Sequence, residues 1–287
     1  ELNRFADTQV MIPKTLVLCT NVFDEFMEQN NLYDIALQDL PNEEILEAFR
    51  HAHLDEMLFD DLVAFVEVVK KPIAVRSSSL LEDAHYQPFA GIYSTYMIPY
   101  DEDPKIMLKM LRTAIKGVYA SVFFDQSKAY MTATSNVIDQ EKMAVVIEEV
   151  CGSSYGNRFY PTFSGVARSL NYYPIGQEET TDGIANVALG LGKYIVDGGL
   201  TLRFSPKHPK HILQMSTMEY ALRETQTSFL ALDLNNKNGH LPVDDGFNLL
   251  KLPVKEAEQD GTLDQIASTF DPYDQVIRDG IWEGGRK

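Results

Sequence analysis

The hydrophobic period of this chain changes near residue 70, and that change limits the folds open to it. Upstream, apolar residues recur every three to four positions. Val22, Phe23, Phe26 and Met27 form one stripe; Leu54, Met57, Leu58, Leu62, Phe65, Val66 and Val69 form another. A short apolar run, Leu16 to Cys19, reads as a strand, after which Thr20 or Asn21 can cap a helix. Pro41-Asn42-Glu43-Glu44 reads as a helix start, with carboxylates in the first turn facing the positive end of the macrodipole. Downstream, β-type segments take over: 72–76, 92–98, 143–150, 164–170, 200–204 and 211–215. A helix beginning at Pro104 interrupts them, with Ile106, Met107, Met110, Leu111, Ala114, Ile115 and Val118 on one side. Residues 152–163 read as a loop and Gly190-Leu191-Gly192 as a turn. After about Asn235 the pattern loosens into Asn/Gly/Asp-rich loops. This interleaving predicts an α+β (mixed α/β) class. The expected layout is a domain over 1–235, helical to about 70 and mixed from 71, followed by an extension or linker over 236–287.

Charge excludes some partners. Lys and Arg total 25 against 42 Asp and Glu, a formal charge of −17. Such a surface repels nucleic-acid phosphates and anionic lipid, so neither nucleic acid nor membrane is an expected partner. No apolar run approaches the roughly 20 residues of a membrane helix, and no secretory leader is read. Between Asp24 and Glu67 stand thirteen acids and one base, Arg50. They form either a solvated helical face or a docking surface for a basic partner. Cys19 and Cys151 lie in apolar runs and are expected as buried free thiols in a reducing cytoplasm, with a single disulfide as the alternative. The start at Glu1 rather than Met leads to the expectation of a fragment of a larger protein.

The segment Val75-Arg76-Ser77-Ser78-Ser79-Leu80-Leu81-Glu82-Asp83, followed by Phe89-Ala90-Gly91, carries the most chemistry. A strand runs into an arginine, small hydroxyl residues, an acidic pair and a glycine. A guanidinium offers forked donors to phosphate oxygens, and serine hydroxyls and turn amides add donors without bulk. Glycine at 91 lets backbone pass close to a ligand. The same residues also suit a plain strand with a capped turn behind it.

Residues 72–91 resemble the V-R-S-S-x-x-x-E-D … F-A-G signature of the ATP-binding domain of phosphoenolpyruvate synthases and pyruvate phosphate dikinases. Arg76, Ser77, Ser78, Glu82, Asp83, Phe89, Ala90 and Gly91 match at the same spacing, and Thr95 matches the threonine of the following strand. Ile12-Pro13 through Phe26, the segment Val118-Tyr119-Ala120-Ser121-Val122-Phe123, Gly165-Val166-Ala167 and Gly190-Leu191-Gly192 follow in the family's order. The resemblance therefore covers roughly residues 11–215. It implies an ATP-grasp-like two-lobed nucleotide-binding fold, with ATP and Mg2+ as cofactors. Arg76 is then the catalytic contact to the triphosphate. Ser77, Ser78, Glu82, Asp83, Gly91, Arg168, Gly190, Gly192 and Lys193 join it in binding ATP. Glu148, Glu149 and Val150 stand at the adenine and ribose hinge.

Several positions depart from the family pattern. Lysine occupies position 14 in place of glycine, Glu148 stands where glutamine is frequent, and Arg168-Ser169 replaces Phe-Thr. Two carboxylates of E-A-x-x-G-L-G-E become Asn186 and Lys193. A magnesium–nucleotide complex needs hard oxygen ligands, which leaves Asp182 and Asn186 as the candidate metal ligands. Lys193 is then either a phosphate contact or a solvated turn lysine. None of the six histidines sits in the family's phosphoacceptor context. The function the resemblance implies is phosphoryl transfer from ATP to a histidine on a separate carrier domain, with a PEP/pyruvate-type domain of the same larger protein as further partner. The alternative is a non-catalytic nucleotide-sensing or docking module with a degenerate metal site.

Overall fold

A computed structural model describes residues 8–79, 91–134, 141–237 and 241–281. The chain divides into two compact units. The first comprises residues through Cys151 together with Leu234–Asn248; the second comprises Gly152–Asp233 and Leu249 onward.

In the first unit β1 (Thr15–Leu18) leads into α1 (Thr20–Gln29), α2 (Tyr33–Ala36), α3 (Asn42–His51) and α4 (Phe59–Val68). Then come β2 (Ile73–Ser79), β3 (Thr95–Ile98), α5 (Pro104–Ser121), α6 (Asp125–Thr134) and β4 (Met143–Glu149). The four strands form one antiparallel sheet in the order β1-β4-β2-β3. The longest of these helices, α5, starts where its sequence is pre-set for it. Asp103 accepts a hydrogen bond from the Lys105 amide at 2.8 Å, and Pro104 occupies the first turn, where its missing N–H costs nothing. Met107, Met110, Leu111, Ala114, Ile115 and Val118 are all buried, within a core that includes Phe23, Phe26, Ile45, Phe49, Leu62 and Val66. At Gly117 a Cβ would stand 2.6 Å from a ring carbon of Tyr96, so glycine is what lets β3 lie against α5.

Tyr119 packs its ring 5.1 Å from Phe23 and 5.4 Å from Phe26, fully buried, and its hydroxyl has no hydrogen-bond partner among the described residues. An unpaired buried hydroxyl carries a desolvation cost of about 1–3 kcal/mol. Tyr119→Phe is therefore expected to raise stability by about 1 kcal/mol, read as a higher urea midpoint with an unchanged slope. A loss of that size instead would reveal a hydrogen-bond partner for the hydroxyl.

Of the thirteen acids of 24–67, ten lie on α1–α4 and Asp39, Asp55 and Glu56 in the connections between them, and none is buried. Both cysteines are exposed and free, which corrects the expectation of buried thiols. In β1 Leu18 is buried in the core and Leu16 packs against it, and Cys19 follows at the α1 entry; Cys151 lies past the end of β4. Neither Thr20 nor Asn21 caps α1: Cys19 holds the cap position without a side-chain bond.

The second unit contains β5 (Ser153–Tyr155), β6 (Arg158–Tyr160), β7 (Ser164–Arg168), β8 (Ile184–Ala188), α7 (Lys193–Val196) and β9 (Leu202–Phe204). It continues with α8 (Met218–Arg223), β10 (Ser228–Asp233), β11 (Leu249–Pro253), α9 (Val254–Gln259), β12 (Ser268–Asp271) and β13 (Val276–Asp279). Its sheets run β11-β10-β6-β5, β7-β8-β9 and β12-β13. Two expectations change here. Residues 152–163 hold a hairpin rather than a loop, because Gly156 at φ +60° takes the first position of a two-residue turn between paired Tyr155 and Arg158. Residues 213–215 form a 3-10 turn rather than a strand. Beyond residue 235, where loops are expected, β11 pairs along the whole of Ser228–Leu232. Among the described residues no helix is long and apolar enough to cross a membrane.

Candidate functional site

Strand alternation sorts the signature residues of the first unit onto two faces. Register pairs Arg76 with Val146 on one side and Thr95 on the other, Ser78 with Ala144, and Ala74 with Glu148. On the far side of β4, Thr15 pairs with Glu148 and Val17 with Val146. Side chains two apart on a strand share a face. One open face therefore carries Arg76, Ser78, Thr95, Glu148 and Thr15, with Val17 49% exposed among them. Ser77 and Glu149 project to the opposite side, in the rows of buried Val145 and Ile73. The structure thus brings Arg76, Ser78 and Glu148 together and leaves Ser77 and Glu149 behind the sheet.

Arg76 is 57% exposed and lies 3.6 Å from the Glu148 carboxylate. Glu149 is instead held by Lys71 at 3.1 Å and Lys14 at 3.9 Å. The hinge amides are also committed: Glu149 N–H donates to the Lys14 carbonyl and Val150 N–H to the Pro72 carbonyl, both at 2.9 Å. A base edge at this strand end would have to use groups beyond those two amides. Gly91 has φ +80° and open space where a Cβ would stand, so its backbone conformation, not crowding, calls for glycine. Glu82 and Asp83 lie outside the described residues.

One neighbour of this face escapes any local reading. Asp245 accepts a hydrogen bond from the Thr95 amide at 2.7 Å, across 150 positions of sequence. Asn248 donates to the Met97 carbonyl, and the Tyr96 hydroxyl donates to the Pro242 carbonyl at 3.0 Å. Residues 242–248 thereby fasten β3 beside Arg76. A local signal exists in Asp244-Asp245-Gly246, a turn in which Asp244 accepts from the Gly246 amide, but it names no target.

In the second unit the β7-β8-β9 sheet sets Arg168, Asn186 and Arg203 on one face, from the pairs Arg168–Ile184, Val166–Asn186 and Asn186–Arg203. Arg168 is exposed. Arg203 donates to Asn171 Oδ1, the Tyr173 carbonyl and Glu178 Oε2 at 3.2, 2.8 and 3.3 Å. Gly190 is explained by packing: at φ +87°, a Cβ would meet the Leu230 carbonyl oxygen at 2.7 Å, and its own carbonyl accepts from Ser164 Oγ at 2.7 Å. Gly192 has room for a methyl group, 3.6 Å from Ser164 Cβ. Lys193 sits 3.5 Å from Asp197.

Asp182 does not have the surroundings of a metal ligand. Its side chain is 1% exposed; one oxygen accepts from Lys207 Nζ at 2.7 Å, the other from the Glu179 amide at 2.7 Å and lies 3.2 Å from His208 Nε2. Two basic side chains fill the place a cation would take, which corrects its reading as a magnesium ligand. Asn186 Oδ1 lies 3.5 Å from Thr201 Oγ1. Among the described residues no cluster of three or more His, Cys, Asp or Glu could hold a metal. The described residues do not fit a protein-held Mg2+ site.

Asp182 and Glu178 instead pin the segment before β8. The Lys207 ammonium, then the Glu179 amide, hold the Asp182 carboxyl below the usual range. Burial pushes the Glu178 carboxyl up, but bonds from the Ile175 amide, Asn171 and Arg203 outweigh it and keep it low. Carboxyls of an unfolded chain titrate near about 4. Two depressed values mean stabilisation that is complete above that pH and lost as pH falls through the folded values. Thermal unfolding of the second unit is expected to be flat from pH 7 to 5 and to drop steeply toward pH 3. The Glu178→Gln/Asp182→Asn variant is expected to shrink that drop, and an undiminished drop would assign it to other groups.

Residues 1–255 match the family model described as pyruvate phosphate dikinase, AMP/ATP-binding domain. The chain is also similar to a Bacillus subtilis (strain 168) protein named uncharacterized phosphotransferase YvkC, 25% identical over 193 residues, which cover 66% of this chain and 20% of that protein. The chain thus spans about a fifth of that relative's length. With helices and antiparallel sheets in both units and a match that covers the first unit and the second through residue 255, the chain belongs to the pyruvate phosphate dikinase AMP/ATP-binding domain family and has its ATP-grasp-like, mixed helix-and-sheet fold.

Proposed function

We propose that this chain is the nucleotide-binding part of a larger phosphotransferase, passing a phosphoryl group from ATP to a histidine on a separate carrier domain. The observation that carries the reading is Arg76: half-exposed on an open sheet face, beside Ser78 and Thr95, and held there by a carboxylate at 3.6 Å. A guanidinium in that position can take phosphate oxygens through two parallel donors. Phosphoryl transfer asks a protein chiefly for positioning and for neutralisation of charge that builds on the moving group. Arg76 supplies the charge, Ser78 a small hydroxyl, and the Asp245–Thr95 bond holds the strand that flanks them. Exposed Arg168 is a second phosphate-binding candidate, carried on the other unit. Magnesium would add further charge neutralisation between phosphate oxygens; the described side chains give no site through which to route a step. The relative's greater length, of which the matched residues cover 20%, and its phosphotransferase name support the presence of carrier and PEP/pyruvate-type domains as partners.

A second reading, a nucleotide-sensing or docking module without turnover, is favoured by one observation: Asp182 is saturated by Lys207 and His208. Incubating the full-length protein with γ-labelled ATP separates the two. Acid-labile, base-stable label on a histidine is the result expected of the transferase. Binding of ATP in calorimetry with no label transferred would favour the sensor, and absence of binding would remove both.

A further inference from the structure

The open face of the first sheet carries two charged side chains among its paired rows, and they neutralise one another. Its rows run Val17–Val146–Arg76–Thr95 and Thr15–Glu148–Ala74. Thr15 turns its hydroxyl to the Pro13 carbonyl at 3.1 Å and does not compete for either charge. Lys14 and Lys71 are engaged with Glu149 on the other side, and Lys142 with Asp24. Arg76 and Glu148 are left facing each other, 57% and 29% exposed.

We propose that Glu148 is an affinity-setting residue that competes with phosphate for Arg76. An anionic ligand must displace the carboxylate from the guanidinium before it can take that place. Glu148 therefore weakens anion binding at this face instead of contributing a contact to the nucleotide. The inference rests on the reading of Arg76 as the phosphate contact and adds to it what the adjacent carboxylate does.

A half-exposed ion pair of this kind changes an equilibrium by up to about fivefold. Glu148→Gln, which keeps the shape of the side chain, is expected to tighten binding of both metal-free inorganic tripolyphosphate and Mg-ATP by about that factor in calorimetry. In an Arg76→Ala background the same substitution is expected to give no gain, because its effect passes through the guanidinium. An equal gain in both backgrounds would reduce Glu148 to bulk charge and overturn the proposal. Weaker binding by Glu148→Gln, which would place the carboxylate in contact with the ligand, would overturn it too, as would unchanged binding. Failure of the folded wild-type chain to bind either ligand would be a different result. That would defeat the nucleotide-binding reading itself, whereas wild-type binding that depends on Arg76 with no gain from Glu148→Gln defeats only the present proposal. Unchanged thermal unfolding of each variant keeps misfolding out of the comparison.

Discussion

Arg76→Ala is expected to weaken ATP binding by about 10- to 100-fold. Hydrogen bonds to a charged group contribute about 1.5–3 kcal/mol each to a net balance, and every 1.4 kcal/mol is a factor of ten. The substitution removes a forked, permanently charged donor from a face whose other described charge is the Glu148 carboxylate. Arg76→Lys is expected to recover part of the loss, since an ammonium keeps the charge but not the planar pair of donors. Folding is not at stake: the side chain is largely exposed, and surface changes of this type stay within about 0.5 kcal/mol. Calorimetric titration of the three chains with Mg-ATP reads the result. Equal affinity for wild type and Arg76→Ala would move the phosphate site off this sheet.

The second large effect is structural. In the second unit, the Arg158 guanidinium donates to Glu256 Oε2 through Nη1 at 2.8 Å and to Asp260 Oδ1 through Nη2 at 2.9 Å. The Tyr160 hydroxyl donates to Asp260 Oδ2 at 2.7 Å, with its ring tilted at 51° and 4.7 Å from Phe229. These contacts fasten α9 to β6, about a hundred positions apart in sequence. Arg158→Ala leaves two carboxylates without a cation, one on a side chain only 11% exposed. Breaking a fully buried pair in this way costs about 3–5 kcal/mol; the remaining exposure of Glu256 lowers the expectation to about 2–3 kcal/mol. Hydrogen exchange checks it, because local opening is read segment by segment. Protection is expected to fall in β5, β6, β10 and β11 and to persist in β2 and β4. Uniform loss, or none, would mean that this cluster does not hold the unit together.

Much of the candidate site was legible locally. Arg76 and Ser78 fall on one face of β2 by alternation alone; Gly91, expected for close approach to a ligand, is called for by its own φ of +80°. The α5 helix announced itself through Asp103, Pro104 and a three-to-four apolar period. The family resemblance over 11–215 pointed to the nucleotide-binding fold that the match over 1–255 places the chain in. Other features were readable and passed over. Tyr155-Gly156-Asn157-Arg158 carries a hairpin turn, but polar, aromatic flanks hid the strands around it. The apolar period of β11 was too short to stand out from the loops before it.

Periodicity along the chain reports burial, because a helix or strand repeats its inner face at a set interval; that is how the helices before residue 70, α5 and the class of the fold are legible in the sequence. Partnership does not repeat. Glu148 meets Arg76 through the register of β2 against β4, Asp182 is filled by Lys207 and His208 from a turn 25 positions away, and Asp245 reaches Thr95 from 150 positions downstream. Each of these pairings changes what a carboxylate can do: compete for a phosphate-binding cation, lock a loop in place of a metal, or fasten the edge of a sheet. A carboxylate's chemistry follows from the charge and donors around it, and those neighbours come from distant parts of the chain that only the folded sheets bring into contact.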